Sequence, residues 1–166
     1  MEFSIKSFTL FGGLILTGLS AGLFYAWQVS VIPGTMKVNH LNYLETMQSI
    51  NREILNPRFF LVFFGPILLL AAGSVFSYSS PKIVFVLMII ATLVYLFGTF
   101  GITVTGNVPL NEQLDALNLA DMDTDKLAEY RAKYETEWNK FHTRRTVSAV
   151  VAFVFAALAV FIEFKK

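Results

Sequence analysis

FFLVFFGPILLLAAGSVFSYSSPKIVFVLMIIATLVYLFGTFGITVT, residues 59–105, carries one charged side chain, Lys82. A helix crosses the hydrocarbon core of a bilayer with ~20 apolar residues, roughly 17 to 25 being tolerated. The stretch divides at 79–82 into two runs of that size, 59–78 and 83–105. The division is only a tight turn containing Ser80-Pro81, so the two runs read as an antiparallel helical hairpin. Two further runs without charge lie outside it, at 8–32 and 146–162. The expected fold is therefore all-α: one integral membrane domain over residues 1–166, a four-helix bundle with spans at about 8–32, 59–78, 83–105 and 146–162.

Composition agrees with that solvent. The chain is 55% hydrophobic with mean hydropathy +0.58, and a soluble domain so composed would expose large apolar patches. The first run follows Lys6 and includes the small residues Ser20, Ala21 and Gly22. It is nevertheless longer than the ~7–15 residues of a signal-peptide core, so it reads as a retained span. A net charge of +1 gives no nucleic-acid footprint. The absence of cysteine excludes disulfides, thiolate metal sites and CxxC redox chemistry. Two histidines, His40 and His142, are too few for a histidine-rich metal cage, and no metal or cofactor is expected. A bis-histidine haem held by this pair is the one formal alternative.

The connections are unequal. With both termini on one side of the membrane, the two long connections, 33–58 and 106–145, fall together on the other side and are expected to form a helical cap. In the first, Tyr43, Leu44, Met47, Ile50, Ile54 and Leu55 recur at three- and four-residue steps. In the second, Leu127, Tyr130, Tyr134, Trp138, Phe141 and Arg145 form a stripe that runs into the last span. Asp123 or Thr124 can cap it, which predicts one helix from about 124 to about 163, on the order of 60 Å long. Asn56-Pro57 and Ser80-Pro81 read as capped starts of the second and third spans. Pro33 and Pro109 read as the ends of the first and third. Gly18, Gly22 and Ala26 in the first span, and Ala149, Ala152, Ala156 and Ala159 in the fourth, are small residues that let helices approach closely in lipid. Gly65-Pro66 should kink the second span.

Orientation follows from charge. Nine of the thirteen Lys/Arg and ten of the twelve Asp/Glu lie on the cap side. Basic residues alone would place the cap in the cytoplasm. The cap cations are interleaved with acids in a folded helix, however, and the short tails end in Lys165-Lys166. The reading therefore places the termini in the cytoplasm of a multi-pass cell-membrane protein. The bilayer is its expected partner, with an apolar small-molecule ligand, and a homo-oligomer is compatible with four spans.

No span contains an ionisable side chain, which argues against a pump or a proton-coupled transporter. Candidate chemistry gathers where cap meets bundle. Tyr25 and Gln28 sit at the end of the first span, and Gln48, Asn51 and Arg52 on the first cap helix. Asn107 and Asn111 flank Pro109. Trp138, His142 and Arg145 share one face of the long helix at i, i+4 and i+7. His142 is the candidate general base. Asn107 and Asn111 are candidate donors to a developing oxyanion. Tyr25, Gln28, Gln48, Asn51 and Trp138 are candidate substrate contacts, and Arg145, on the stripe facing the bundle, is the residue suited to pin an anionic substrate. Each also has an ordinary structural role, as helix cap, interfacial aromatic or hydrogen bond between elements.

Five strings carry a resemblance: GLFYAWQVSVIPG at 22–34, MQSINR at 47–52, NPRFF at 56–60, NVPLN at 107–111 and WNKFHTRRT at 138–146. In order and spacing the chain resembles the anthrone oxygenase-like family of small four-span membrane proteins, along nearly its whole length. The resemblance implies the bundle fold. Most bacterial members of that family have no known function. A fungal branch oxidises polyketide anthrones to anthraquinones with dioxygen and no evident cofactor. Two expectations follow: a cofactor-free oxygenase or related oxidoreductase acting on an apolar aromatic, anthrone- or quinol-like molecule, or a non-catalytic membrane module that binds a lipid, a hydrophobic ligand or a partner membrane protein.

Overall fold

The computed structural model describes residues 4–165, so the charges of Glu2 and Lys166 counted above lie outside the described residues. Among these residues the chain is helical, with no strand. Five helices account for it. α1 spans Ile5–Thr35, α3 Pro57–Phe76, α4 Lys82–Asp115 and α5 Thr124–Phe164. These four are long and apolar enough to cross a membrane. The fifth, α2, is His40–Glu53, and lies in the first long connection.

Local chemistry sets most boundaries. Asn39, Asn56 and Asp123 each accept the backbone N–H three residues on, capping α2, α3 and α5. The Lys126 amide, together with that residue's side chain, holds the Asp123 carboxyl below its ordinary range. α5 runs unbroken for 41 residues, from cap through membrane, as the continuous stripe predicts. Ser80 does not cap α4. Pro81 occupies the N-cap position, and the Ser80 hydroxyl is buried with no partner among the described residues.

Neither Pro33 nor Pro109 stops its helix, contrary to the sequence expectation. Each follows a π-helical turn, Trp27–Val31 and Thr103–Asn107 respectively. Ile32 N–H reaches back five residues to Trp27 O, and Val108 N–H likewise to Thr103 O. A proline ring collides with the carbonyl four residues before it in an α-helix. The wider turn moves that carbonyl aside, so the helix passes through the proline. The third span consequently continues to Asp115 and contributes Asn111 and Glu112 to the cap.

The bundle closes as a ring in which α1 packs on α3 and α5, and α4 on α3 and α5. Lys6 pairs with Glu163, which places the start of α1 and the end of α5 on one side. Ala149, Ala152, Ala156 and Ala159 are fully buried, as expected for a small-residue seam. The seam in α1 is shorter than the sequence suggested. Gly18 faces the Phe153 ring, where a Cβ would sit 2.9 Å from it, but Gly22 meets nothing and Ala26 is exposed. Gly106 is the tightest approach near the cap, since a Cβ there would lie 2.6 Å from the Phe141 ring. Hydroxyls of Thr17, Ser74, Thr92 and Thr103 donate to carbonyls four residues back, which satisfies them without water.

The cap has its own core, built on Tyr43, Leu44, Met47, Leu114, Leu127 and Tyr134. Arg131 fastens it. Its guanidinium donates to Glu135 at 2.9 Å, to Val38 O at 2.6 Å and to Thr35 O at 3.1 Å, and lies over the Tyr43 ring. Burial, followed by the Glu135 carboxylate, pushes the Tyr43 phenol above its ordinary range and keeps it neutral.

Candidate functional site

A cavity of about 390 Å³ lies where the cap core meets the bundle core. All five helices contribute to its wall. Phe24 and Trp27 come from α1, Asn51 and Arg52 from α2, Phe59 from α3, Thr103, Asn111 and Glu112 from α4, and Trp138, His142 and Arg145 from α5. The size suits a small ligand, and the mainly apolar lining with a few convergent polar groups is what ligand sites generally show. One part of the rim is apolar, with Leu23, Leu55 and Val108 all partly exposed. Another part carries Glu112 and Asp115, the latter paired with Arg52 at 2.5 Å.

Three side chains on α5 form the floor. Trp138 and His142, one turn apart, stack with ring centroids 4.9 Å apart and planes 8° apart. Trp27 lies 5.8 Å from Trp138, and Phe24 meets His142 edge-on. His142 is fully buried. Its Nδ1 accepts from Arg145 Nε at 3.2 Å and Nη2 at 3.0 Å. A guanidinium only donates, so Nδ1 bears no proton and the hydrogen sits on Nε2. Nε2–H points to Phe24 O at 3.1 Å. The imidazole is therefore held neutral in one tautomer.

The two asparagines have different jobs. Asn111 Oδ1 accepts from Trp138 Nε1 at 2.9 Å and from Tyr134 Oη at 3.1 Å. Indole N–H has no acceptor capacity, which fixes the amide orientation. The Asn111 Nδ2 group is left without a protein acceptor among the described residues, on a side chain that lines the cavity. Asn107 is fully buried and lies outside the lining. Its Nδ2 donates to Trp138 O at 3.2 Å, and its Oδ1 is buried without a partner.

The structure thus brings His142, Asn111, Asn51, Trp138 and Arg145 to one cavity. It does not bring Tyr25, Gln28, Gln48 or Asn107 there. Tyr25 is 57% exposed. Its neighbour Phe24 faces inward, and one residue along a helix turns the next side chain about 100° away. Gln28 Oε1 accepts from Thr143 Oγ1 at 3.2 Å on the outside of the bundle. Gln48 Nε2 donates to Leu114 O and Leu117 O, stitching α2 to the end of α4. Asn51 Nδ2 donates to Tyr134 Oη at 3.2 Å. Arg144 is exposed, and Glu135 and Glu137 pair with Arg131 and Lys140. His40 is exposed at the start of α2, and both His142 nitrogens are engaged by protein, so the two are not disposed as axial ligands.

Sequence reasoning missed Phe24, Trp27, Thr103 and Glu112. A signal for the first two was present, since residues three apart share a helix face and both lie in the 22–34 string. Glu112 had none, because it depends on α4 continuing through Pro109, and Thr103 had none, because one threonine in an apolar span does not show which neighbour it faces.

A family model described as anthrone oxygenase matches residues 59–155. The match takes in Asn107, Asn111, Trp138, His142 and Arg145 and leaves α1 and α2 outside it. Neither a curated protein nor a solved structure matches the chain.

Proposed function

The chain belongs to the anthrone oxygenase family, and from that premise we propose that it is a membrane-embedded oxygenase that oxidises an apolar, anthrone- or quinol-like aromatic in the cavity between cap and bundle. One observation carries the reading: the His142 imidazole, the Asn111 amide donor and Arg145 converge on a single aromatic cavity. An electron-rich anthrone-type carbon needs only to lose a proton before dioxygen attacks it. His142 accepts that proton at Nδ1, the nitrogen that carries the Arg145 hydrogen bonds in the resting protein. Asn111 Nδ2 donates to the oxyanion that forms on the ring oxygen. Trp27, Trp138, Phe24 and Phe59 hold the ring plane and exclude water. The methylene carbon gains one oxygen atom of dioxygen as a new carbonyl. The other leaves as water with the two hydrogens that carbon loses. The fungal branch of the family carries this out with no evident cofactor, and the roles above ask for none. Asn107 acts by holding α4 against α5 beneath the site. The apolar part of the rim supplies an entry from lipid. The termini lie on the cytoplasmic side of the cell membrane and the cap lies outside.

A second reading, a non-catalytic module binding a lipid or hydrophobic ligand, draws support from the bonds that Asn51, Asn107 and Asn111 spend on tying helices together. The test is oxygen uptake by purified protein in mild detergent supplied with a dihydroxyanthrone, followed with the absorbance of the quinone formed. The oxygenase reading expects a rate well above protein-free micelles, lost in His142→Gln and Asn111→Ala protein. A rate equal to that of micelles alone would overturn it in favour of the binding module.

A further inference from the structure

The cavity holds a buried positive charge that the protein does not neutralise. Arg145 is 8% exposed. Among the described residues no carboxylate lies within 4.0 Å of it. Its partners are neutral: His142 Nδ1, Thr103 Oγ1 at 3.4 Å, and the faces of Phe24 and Trp138 at 4.7 and 5.1 Å from the guanidinium carbon. These bonds occupy three of five N–H donors, leaving one on each terminal nitrogen. The contrast with Arg131 is internal to the molecule. That arginine, 7% exposed, has the Glu135 carboxylate and two backbone carbonyls. An unpaired buried charge is costly to a fold and is ordinarily compensated. Here its spare donors sit on a side chain that lines a cavity.

We propose that the ligand supplies the missing charge: the cavity takes an aromatic weak acid whose hydroxyl ionises in place and pairs with Arg145. This rests on reading the cavity as the substrate site. The rim argues for entry as the neutral acid. Arg52 neutralises Asp115, but Glu112 has no cationic partner among the described residues and faces any anion arriving from water. The apolar rim offers no such barrier. Around Arg145 the ionisable groups are His142 and Tyr134 on its own helix, Glu112 and Asp115 on α4 and Arg52 on α2, while α1 and α3 present only apolar or aromatic side chains to the cavity. Pairing with the ligand also draws the guanidinium off His142 Nδ1. The base is therefore uncapped only when an acidic substrate is present, and a ring without an acidic hydroxyl leaves it blocked. The phenolic proton leaves to water at the Glu112 rim, and the proton on the reacting carbon goes to Nδ1.

The experiment is a pH titration of a dihydroxyanthraquinone, whose visible absorbance shifts on ionisation, bound to the protein in neutral detergent. An opposite charge within a few ångströms lowers an acid's pKa by roughly one to three units. The bound probe should therefore ionise at least about one pH unit, or tenfold in proton concentration, below the probe in protein-free micelles. Its fully methylated ether should bind at least about tenfold more weakly. Arg145→Gln should abolish the shift and Arg145→Lys should restore part of it, with near-ultraviolet circular dichroism reporting the fold of each. The methyl ether comparison uses unaltered protein, so it stands if a variant misfolds. Equal affinity for phenol and ether with no shift, or no binding of either, overturns the proposal. Displacement of the probe by oleate at equal concentration overturns the aromatic class in favour of a lipid carboxylate. The two readings fail separately. A shifted probe without oxygen uptake sinks the oxygenase and keeps the anion site. Oxygen uptake with an unshifted probe and an unaffected Arg145→Gln protein does the reverse.

Discussion

Replacing Asn111 tests the site most sharply, because the two ends of one amide do different things. Oδ1 satisfies Tyr134 Oη–H and Trp138 Nε1–H, whose residues are 2% and 3% exposed. Asn111→Ala strands both donors. A buried donor left unpaired costs about 1–3 kcal/mol, or roughly 2–6 kcal/mol for the pair. Cavity water can reach part of the vacated site, so the low end of that range applies, about 2–3 kcal/mol. For a chain of this size that is a fall in Tm of roughly 5–10 °C. Asn111→Asp keeps an acceptor of the same shape and should melt within about 3 °C of the parent. It loses the cavity-facing donor, however, and sets a negative charge where an oxyanion must form. Turnover should fall by about a hundredfold or more, the usual cost of losing such a donor. The assay pairs thermal unfolding in detergent, followed by tryptophan fluorescence, with oxygen uptake. If the alanine protein melts with the parent, the Oδ1 bonds do not hold the floor of the site. If the aspartate protein is as unstable as the alanine protein, acceptor geometry is not what matters. If the aspartate protein turns over normally, Asn111 is no oxyanion donor.

Other perturbations reach the cap and the helix approaches. Arg131→Met leaves the half-buried Glu135 without its cation and should cost about 3 kcal/mol; the double change Arg131→Met with Glu135→Leu should recover the part due to the ion pair in a double-mutant cycle, and purely additive losses would count against the clasp. Gly106→Ala drives a methyl group into the Phe141 ring and should destabilise by about 1–3 kcal/mol while weakening probe binding, because α4 and α5 must separate beside the site; a parent-like melting curve refutes that approach. Tyr25→Ala, on the outer face, should leave turnover within about twofold, and a large loss would mean that Tyr25 reaches the cavity in solution.

The long stripe of α5 survived folding, whereas the helix ends read from Pro33 and Pro109 did not, although Asn56 before Pro57 caps α3 as expected. The stripe of α5 was legible because every third or fourth residue from Leu127 to Phe141 is one that gains by leaving water, and no breaker interrupts it. The prolines misled because their effect depends on the turn before them. A π turn has no composition of its own, so the passage of α1 through Pro33 and of α4 through Pro109 was invisible. The same failure hid Glu112 and moved Asn107 from the cavity to the helix seam. Gln48 and Asn51 were placed correctly on the polar side of α2, but whether a polar group meets a ligand or a backbone carbonyl is settled by the partner element.

By itself the sequence determined the solvent, the four spans, the long fourth helix and the end of the bundle where polar residues collect. Those are consequences of hydrophobicity and helical period, which act locally along the chain. Only the tertiary structure decided that Phe24 and Trp27 rather than Tyr25 enclose the cavity, that Arg131 is neutralised while Arg145 is not, and that His142 presents Nδ1 to a guanidinium. Each arginine has one partner on its own helix, Glu135 for Arg131 and His142 for Arg145, but whether the remaining donors meet the carbonyls of Thr35 and Val38 or the Thr103 hydroxyl and a cavity depends on residues far away in the chain.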